Sequence, residues 1–254
     1  MSRSNGLFAW LMVALSLLVG SSAMADEIRV AVASNFVEAL KAIAGRFEAQ
    51  TGHKVTLIQG ATGRHYAQIK NGAPFDIFFA ADVRRPRLLD EQKVALPGSR
   101  FTYAIGRVVL WSPKPAYVDA EGRVLEQGQF RHLAIANPKL APYGRAAREV
   151  LQSYGLWDRY TDRMVRGENI GQAFHFVRSG NAELGLVAYS QVKRPGQPVA
   201  GSIWIVPQTL YAPIEQQAVL LLDTDAARSF LSFVKRKAAQ EIIRGFGYGI
   251  SDAG

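Results

Sequence analysis

The chain has no cysteine among its 254 residues. Disulfide staples, thiol nucleophiles and thiolate metal ligands are therefore excluded, and stability must come from the core. Histidine is scarce. His53, His65, His132 and His175 share no metal-ligand spacing, and each reads as a surface or packing residue. No Gly-x-Ser-x-Gly elbow, phosphate-loop signature or dinucleotide fingerprint occurs, and there is no internal repeat or low-complexity tract. After residue 25 no apolar run is long enough to cross a membrane. Acidic residues are few, 21 against 30 Lys and Arg, for a formal net charge of +9. Such an excess favours anionic partners. The basic residues are scattered, however, apart from Arg84-Arg85-Pro86-Arg87 and Lys235-Arg236-Lys237, and no aromatic-interleaved basic groove is present. Nucleic acid is not an expected partner.

Residues 1–25 read as a cleaved signal peptide. Arg3 supplies the positive start, Leu7 to Val19 the apolar run and Ala23-Met24-Ala25 the small-x-small cleavage site. The exported chain then begins at Asp26 and is long enough for one large domain or two lobes of about 100 residues each.

Within it, strand-like and helix-like runs alternate, which predicts an α/β class. Strands are predicted at Ile28–Ala33, Lys54–Gln59, Asp76–Ala80, Arg107–Trp111, Leu133–Ala136, Leu184–Ala188, Ile203–Val206 and Ala218–Leu222. Phe36, Leu40, Ile43 and Phe47 recur at helical spacing, with Gly52 as the stop. Ala147, Val150, Leu151 and Tyr154 form a second such face closed by Gly155, and Ile170, Ala173, Phe174 and Val177 a third closed by Gly180. One long terminal helix is predicted over 226–244, begun by Asp225.

Four turns join strand to helix, two in each half of the chain: Ser34-Asn35, Thr62-Gly63, Pro142-Tyr143-Gly144 and Asn169-Ile170-Gly171. Each aims free backbone N–H groups and a positive helix end at one spot, the local geometry of an anion seat. The structural alternatives are plain. Asn35 with Glu38 fits a capping box, and Tyr143 taken alone fits a packing tyrosine. Asp76 and Asp82 flank a strand, where capping and turn roles suit them better than a catalytic carboxylate pair. If two turns from each half face each other across a cleft, hydroxyl, amide and N–H donors hold an oxyanion there without a countercharge. A site made only of donors prefers an anion that carries no proton.

The motifs resemble those of a known family. They are Val32-Ala33-Ser34-Asn35-Phe36, Gly60-Ala61-Thr62-Gly63 with Tyr66-Ala67-Gln68-Ile69, and Asn71-Gly72-Ala73-Pro74-Phe75-Asp76 continuing to Asp82. Ala141-Pro142-Tyr143-Gly144, Glu168-Asn169-Ile170, Leu184-Gly185-Leu186-Val187-Ala188 and Phe246-Gly247-Tyr248 complete the set. Together they are similar to the periplasmic molybdate-binding proteins of ABC importers, which are type-II substrate-binding proteins, and the likeness spans the exported chain. It implies a two-lobed α/β periplasmic-binding-protein fold with a hinge and an inter-lobe cleft. It also implies a periplasmic location, molybdate or tungstate as ligand with no cofactor and no protein-ligated metal, and a membrane permease as partner of a monomer. By position, the anion contacts are Ser34, Asn35, Thr62, Tyr143 and Ile170. Two departures stand out. Ala61-Thr62 replaces a common Ser-Ser pair, and Ala188 stands where some relatives carry a ligand tyrosine, with Tyr189 one residue on. A sulfate or other tetrahedral-oxyanion binder is the neighbouring alternative. An enzyme on the same scaffold is the distant one, since no nucleophile, base or metal set is evident. The expected lobes are 26–105 plus 211–254, and 106–210.

Overall fold

The computed structural model describes residues 26–250; the expected leader, 1–25, lies outside the described residues. The chain runs β1 (Glu27–Ala33), α1 (Val37–Thr51), β2 (Lys54–Gly60), α2 (Thr62–Lys70), β3 (Ile77–Ala80), α3 (Arg84–Glu91) and β4 (Phe101–Gly106). It continues as β5 (Val108–Ser112), α4 (Val124–Gln127), β6 (Leu133–Ala136), α5 (Pro142–Ser153), α6 (Trp157–Tyr160), β7 (Met164–Gly167) and α7 (Ile170–Arg178). Then follow β8 (Leu184–Ala188), α8 (Tyr189–Val192), β9 (Ser202–Ile205), β10 (Ile214–Leu220), α9 (Asp225–Lys235) and α10 (Lys237–Gly245).

Two five-stranded sheets result, ordered β2-β1-β3-β10-β4 and β7-β6-β8-β5-β9. In each, the first three strands of the order are mutually parallel, as α/β crossovers require, and the fourth, β10 or β5, runs antiparallel to both of its neighbours. Helices flank both sheets, giving the two-lobed α/β architecture that the alternation and the family resemblance imply. Only Arg107 separates β4 of the first sheet from β5 of the second, and the chain returns to the first sheet between β9 and β10.

The local causes are readable. The apolar face of α1 is fully buried, with Phe47 edge-on to Phe230 and Phe233. Gly52 ends the helix at φ 76°, its N–H donating to the Glu48 carbonyl, a left-handed stop that suits glycine. Pro142 opens α5 at its first position, where the missing N–H costs nothing.

Three expectations need correction. Asn35 does not cap α1: the helix starts at Val37 after Phe36 and has no side-chain cap, because buried partners elsewhere claim the Asn35 amide. The terminal helix is two helices, broken where Arg236 turns extended at ψ 148°. Thr224 caps the first, accepting from the Ala227 N–H, and the second folds back over α1. Strands β4 and β7 lie where none was predicted. Strand β10 begins at Ile214, four residues before the predicted start, and carries a bulge between Gln216 and Gln217.

Candidate functional site

The four turns emerge from the carboxyl ends of β1, β2, β6 and β7, the edge where parallel strands present helix N-termini. They meet in one small pocket, and Ser34, Asn35, Thr62, Tyr143 and Ile170 all line it. No lining residue is charged. The cavity shares Gly60, Ala61 and Asn169 with a wider cleft between the two sheets, where Arg64 Nη1 donates to both carboxylate oxygens of Glu168 at 2.7 and 2.9 Å.

Its polar groups are arranged as donors. Among the described residues no acceptor engages the backbone N–H of Asn35, Thr62, Tyr143 or Ile170. These are the orphan amides of turns and first helical positions, and unpaired buried amides are costly without a partner. Two hydroxyls join them. Ser34 Oγ accepts from the Gly171 N–H at 3.1 Å, and Thr62 Oγ1 accepts from the Ala81 N–H at 3.1 Å. A hydroxyl whose lone pair is held by a backbone N–H has its own hydrogen to give elsewhere. Around them, Asn169 caps α7 by accepting from the Gln172 N–H, and Gln191 steadies the Ile170 carbonyl with a 3.1 Å bond.

Two of the five engage their side chains with buried partners. The Asn35 side chain points Nδ2 into a buried network, donating to Gln216 Oε1 at 2.8 Å and to the Tyr248 hydroxyl at 3.0 Å, while its Oδ1 is buried without a partner. The Tyr143 hydroxyl lies beside Gly106 and accepts from Gln216 Nε2 at 3.3 Å, so its backbone N–H is the group this residue offers the cavity. Tyr189 is not a lining residue; its ring packs on Gly247. Gln216, Tyr103, Ser190 and Gln191 escaped the sequence reading, and Tyr248 entered it only within the closing Phe246-Gly247-Tyr248 motif, without a role. A second signal was the polar pair Gln216-Gln217 inside an otherwise apolar strand.

Protonation is settled by burial. The Tyr103, Tyr143 and Tyr248 hydroxyls are all pushed well above the usual phenol range, chiefly by desolvation, and stay protonated. His65 lies under Gly60 with Nε2 3.3 Å from the Val32 carbonyl, and burial lowers its pKa, which keeps it neutral. Asp82 accepts from the Arg85 N–H and pairs with Arg85 and Arg145, a capping and bridging role. Among the described residues no cluster of three or more His, Asp or Glu suits a metal ion.

An uncharged, donor-lined cavity between two hinged α/β lobes defines a solute-binding protein with a site for a small anion. The chain belongs to the bacterial extracellular solute-binding protein family, whose model matches residues 28–249. Relatives agree in detail. The molybdate-binding protein ModA of Azotobacter vinelandii is 50% identical over 236 residues, covering 92% of this chain and 94% of the relative. That of Rhodobacter capsulatus is 48% identical over 241 residues, covering 92% and 94%. The solved Azotobacter vinelandii periplasmic molybdate-binding protein superposes with a TM-score of 0.86 at 46% identity, covering 88% of this chain and 99% of that one. These proteins are named for binding, and the resemblance drawn from the motifs is to this same group.

Proposed function

We propose that this protein captures molybdate, or tungstate, between its lobes in the periplasm and delivers it to the permease of an ABC importer. The observation that carries the reading is the convergence of four unengaged N–H groups and two hydroxyls on one uncharged cavity. Such a site stabilises charge through fixed dipoles without desolvating a countercharge. Ser34 and Thr62 act through their hydroxyls, and Asn35, Thr62, Tyr143 and Ile170 through their N–H groups. The relatives named as molybdate-binding proteins support the choice of anion. In this reading the chain works as a monomer and a binder, not a catalyst: the cavity offers no base, nucleophile or metal ligand. Lobe 1 comprises 26–105 with 211–254 and lobe 2 comprises 106–210, so that two crossings form a hinge.

Calorimetric titration of the exported form with molybdate, tungstate, sulfate and phosphate tests the reading. Molybdate and tungstate are expected to bind at least about tenfold tighter than sulfate, a difference of about 1.4 kcal/mol. Tighter sulfate binding reassigns the protein to sulfate, and no heat with any of the four sinks the proposal.

A further inference from the structure

A second groove shares a wall with the cavity. Ala81 and Pro142 line both, and the charged residues of the groove are Asp82, Arg84, Arg145, Glu149 and Glu215. Asp82 stands apart among them, because its side chain is only 7% exposed. It follows Ala81, whose N–H holds the Thr62 hydroxyl oxygen, and its Oδ1 accepts from the Arg85 N–H at 3.0 Å as α3 begins. Two guanidiniums meet its Oδ2. Arg85, 12% exposed, pairs from the same lobe, and Arg145, in the first turn of α5, reaches it at 3.4 Å from the other. Arg85 also backs the second turn: a Cβ built on Gly63 would lie 2.9 Å from its Nη2.

A buried carboxylate next to an anion seat works against binding, since like charges repel and a low-dielectric surround strengthens the repulsion. The pairing removes that penalty and then reverses it. Within the first lobe, Asp82 and Arg85 sum to zero. When the lobes close Arg145 joins them, and the trio, one carboxylate and two guanidiniums, carries a formal +1. The other groove charges do not undo this. Arg84 and Glu215 are exposed, opposite in sign and both on the first lobe. Glu149 lies one turn further along α5 than Arg145, away from the end that lines the cavity, and its carboxylate holds the Ala212 N–H at 2.8 Å.

We propose that Arg145 is a positioning residue whose docking on Asp82 turns the charge layer outside the cavity from neutral to positive as the lobes close, and so tightens the closed site on its oxyanion. The inference rests on the anion-binding reading above. Arg145 does not line the cavity and never meets the anion; it acts through Asp82. Closure and affinity are thereby linked by one side chain of the second lobe. The cavity itself keeps its uncharged lining, and the charge stays one layer out, where it favours any dianion without choosing among them.

The test is calorimetric titration with molybdate of wild type, Arg145→Gln, Arg145→Lys and the double variant Arg145→Gln/Asp82→Asn, at about 20 mM and about 500 mM salt. Arg145 is 43% exposed, so its substitution spares the core. Arg145→Gln returns the trio to zero and is expected to bind about threefold to tenfold more weakly at low salt, with the deficit shrinking to about twofold or less at high salt. Arg145→Lys keeps the charge and is expected to stay within about twofold of wild type. The double variant restores the formal +1 while Oδ1 at position 82 still accepts from the Arg85 N–H, and is expected to recover to within about twofold of wild type. A packing role would leave the double variant no tighter than Arg145→Gln, and that result overturns the proposal, as does Arg145→Gln affinity within twofold of wild type at low salt. If the double variant fails to fold, the salt series decides: an Arg145→Gln deficit equal at both salts overturns the charge mechanism. No heat with any oxyanion in the wild type overturns the functional reading and this inference with it.

Discussion

Ser34 Oγ in the first turn of one lobe accepts a 3.1 Å hydrogen bond from the N–H of Gly171, second residue of the facing helix in the other lobe. Beside it, the Gly63 N–H donates 2.9 Å across to the Leu140 carbonyl. The lobes therefore meet through the very turns that line the cavity, and Ser34 is oriented by the opposite lobe. Ser34→Ala removes both this clasp and a hydroxyl donor. Oxyanion affinity is expected to fall about tenfold to a hundredfold, on the scale of one hydrogen bond to a charged group. Calorimetry checks it, and an unchanged affinity places the anion elsewhere.

Thr62 serves two ends at once, since its oxygen accepts from the Ala81 N–H while its hydrogen is available to a ligand. Thr62→Val keeps the shape and loses both. Affinity is expected to drop by about 1.5–3 kcal/mol, and stability by about 1–3 kcal/mol because Ala81 is left with a buried unpaired amide. Thr62→Ser restores both functions. Equal loss of affinity in the Ser and Val variants would show that the methyl, not the hydroxyl, matters.

These residues mark where the sequence was legible. The seats of all four turns were visible because glycine, proline and small polar residues punctuate strand ends regardless of tertiary context. The partner of Asn35 was not. The capping pattern with Glu38 is a local rule, and it lost to Gln216 and Tyr248, which lie 181 and 213 residues away. Likewise Lys235-Arg236-Lys237 gave no sign of a helix break, because the break is set by what the second helix packs on. Strand β7, half-exposed at a sheet edge, carried too little apolar pattern to register.

The Arg64–Glu168 pair spans the cleft mouth, with the two side chains 57% and 33% exposed. A solvated pair of this kind is worth at most about 1 kcal/mol and is screened by salt. Arg64→Ala is accordingly expected to change equilibrium affinity by less than about fivefold. Release should become faster, because the pair joins the lobes only when they are closed. Stopped-flow dissociation at low and high salt checks this; a wild-type release rate that ignores salt would remove the pair from closure.

Oxyanion binding is expected to stay flat from about pH 6 to 9, because hydroxyls, amides and N–H groups do not titrate there and the buried tyrosines are shifted further up. Stability behaves differently. The pKa of His65 is lowered in the fold from its ordinary 6.5, chiefly by burial, so the unfolded chain binds more protons between the two values. Its contribution is fully present above the unfolded pKa and is lost as pH falls towards the folded one. Melting temperature is expected to fall between about pH 7 and 5, with a shallower slope in His65→Gln. An identical slope in the variant would assign the acid sensitivity to other groups.

Gly106 ends β4 at the crossing between lobes, and a Cβ built there would lie 2.2 Å from the Tyr143 hydroxyl oxygen and 2.6 Å from Gln216 Nε2. Only an absent side chain lets these two groups approach each other at this point. Gly106→Ala is therefore expected to cost about 1–3 kcal/mol of stability, the usual scale of overpacking a buried site. The tightest of these approaches is to the Tyr143 hydroxyl oxygen, an atom that can be removed on its own. In Tyr143→Phe the oxygen is gone, so adding Gly106→Ala to that variant should cost less than adding it to wild type. The double-mutant cycle is expected to give a coupling of at least about 0.5 kcal/mol in the compensating direction. Strict additivity in chemical denaturation would mean that Gly106 is required for strand geometry alone and not for the meeting of Tyr143 with Gln216.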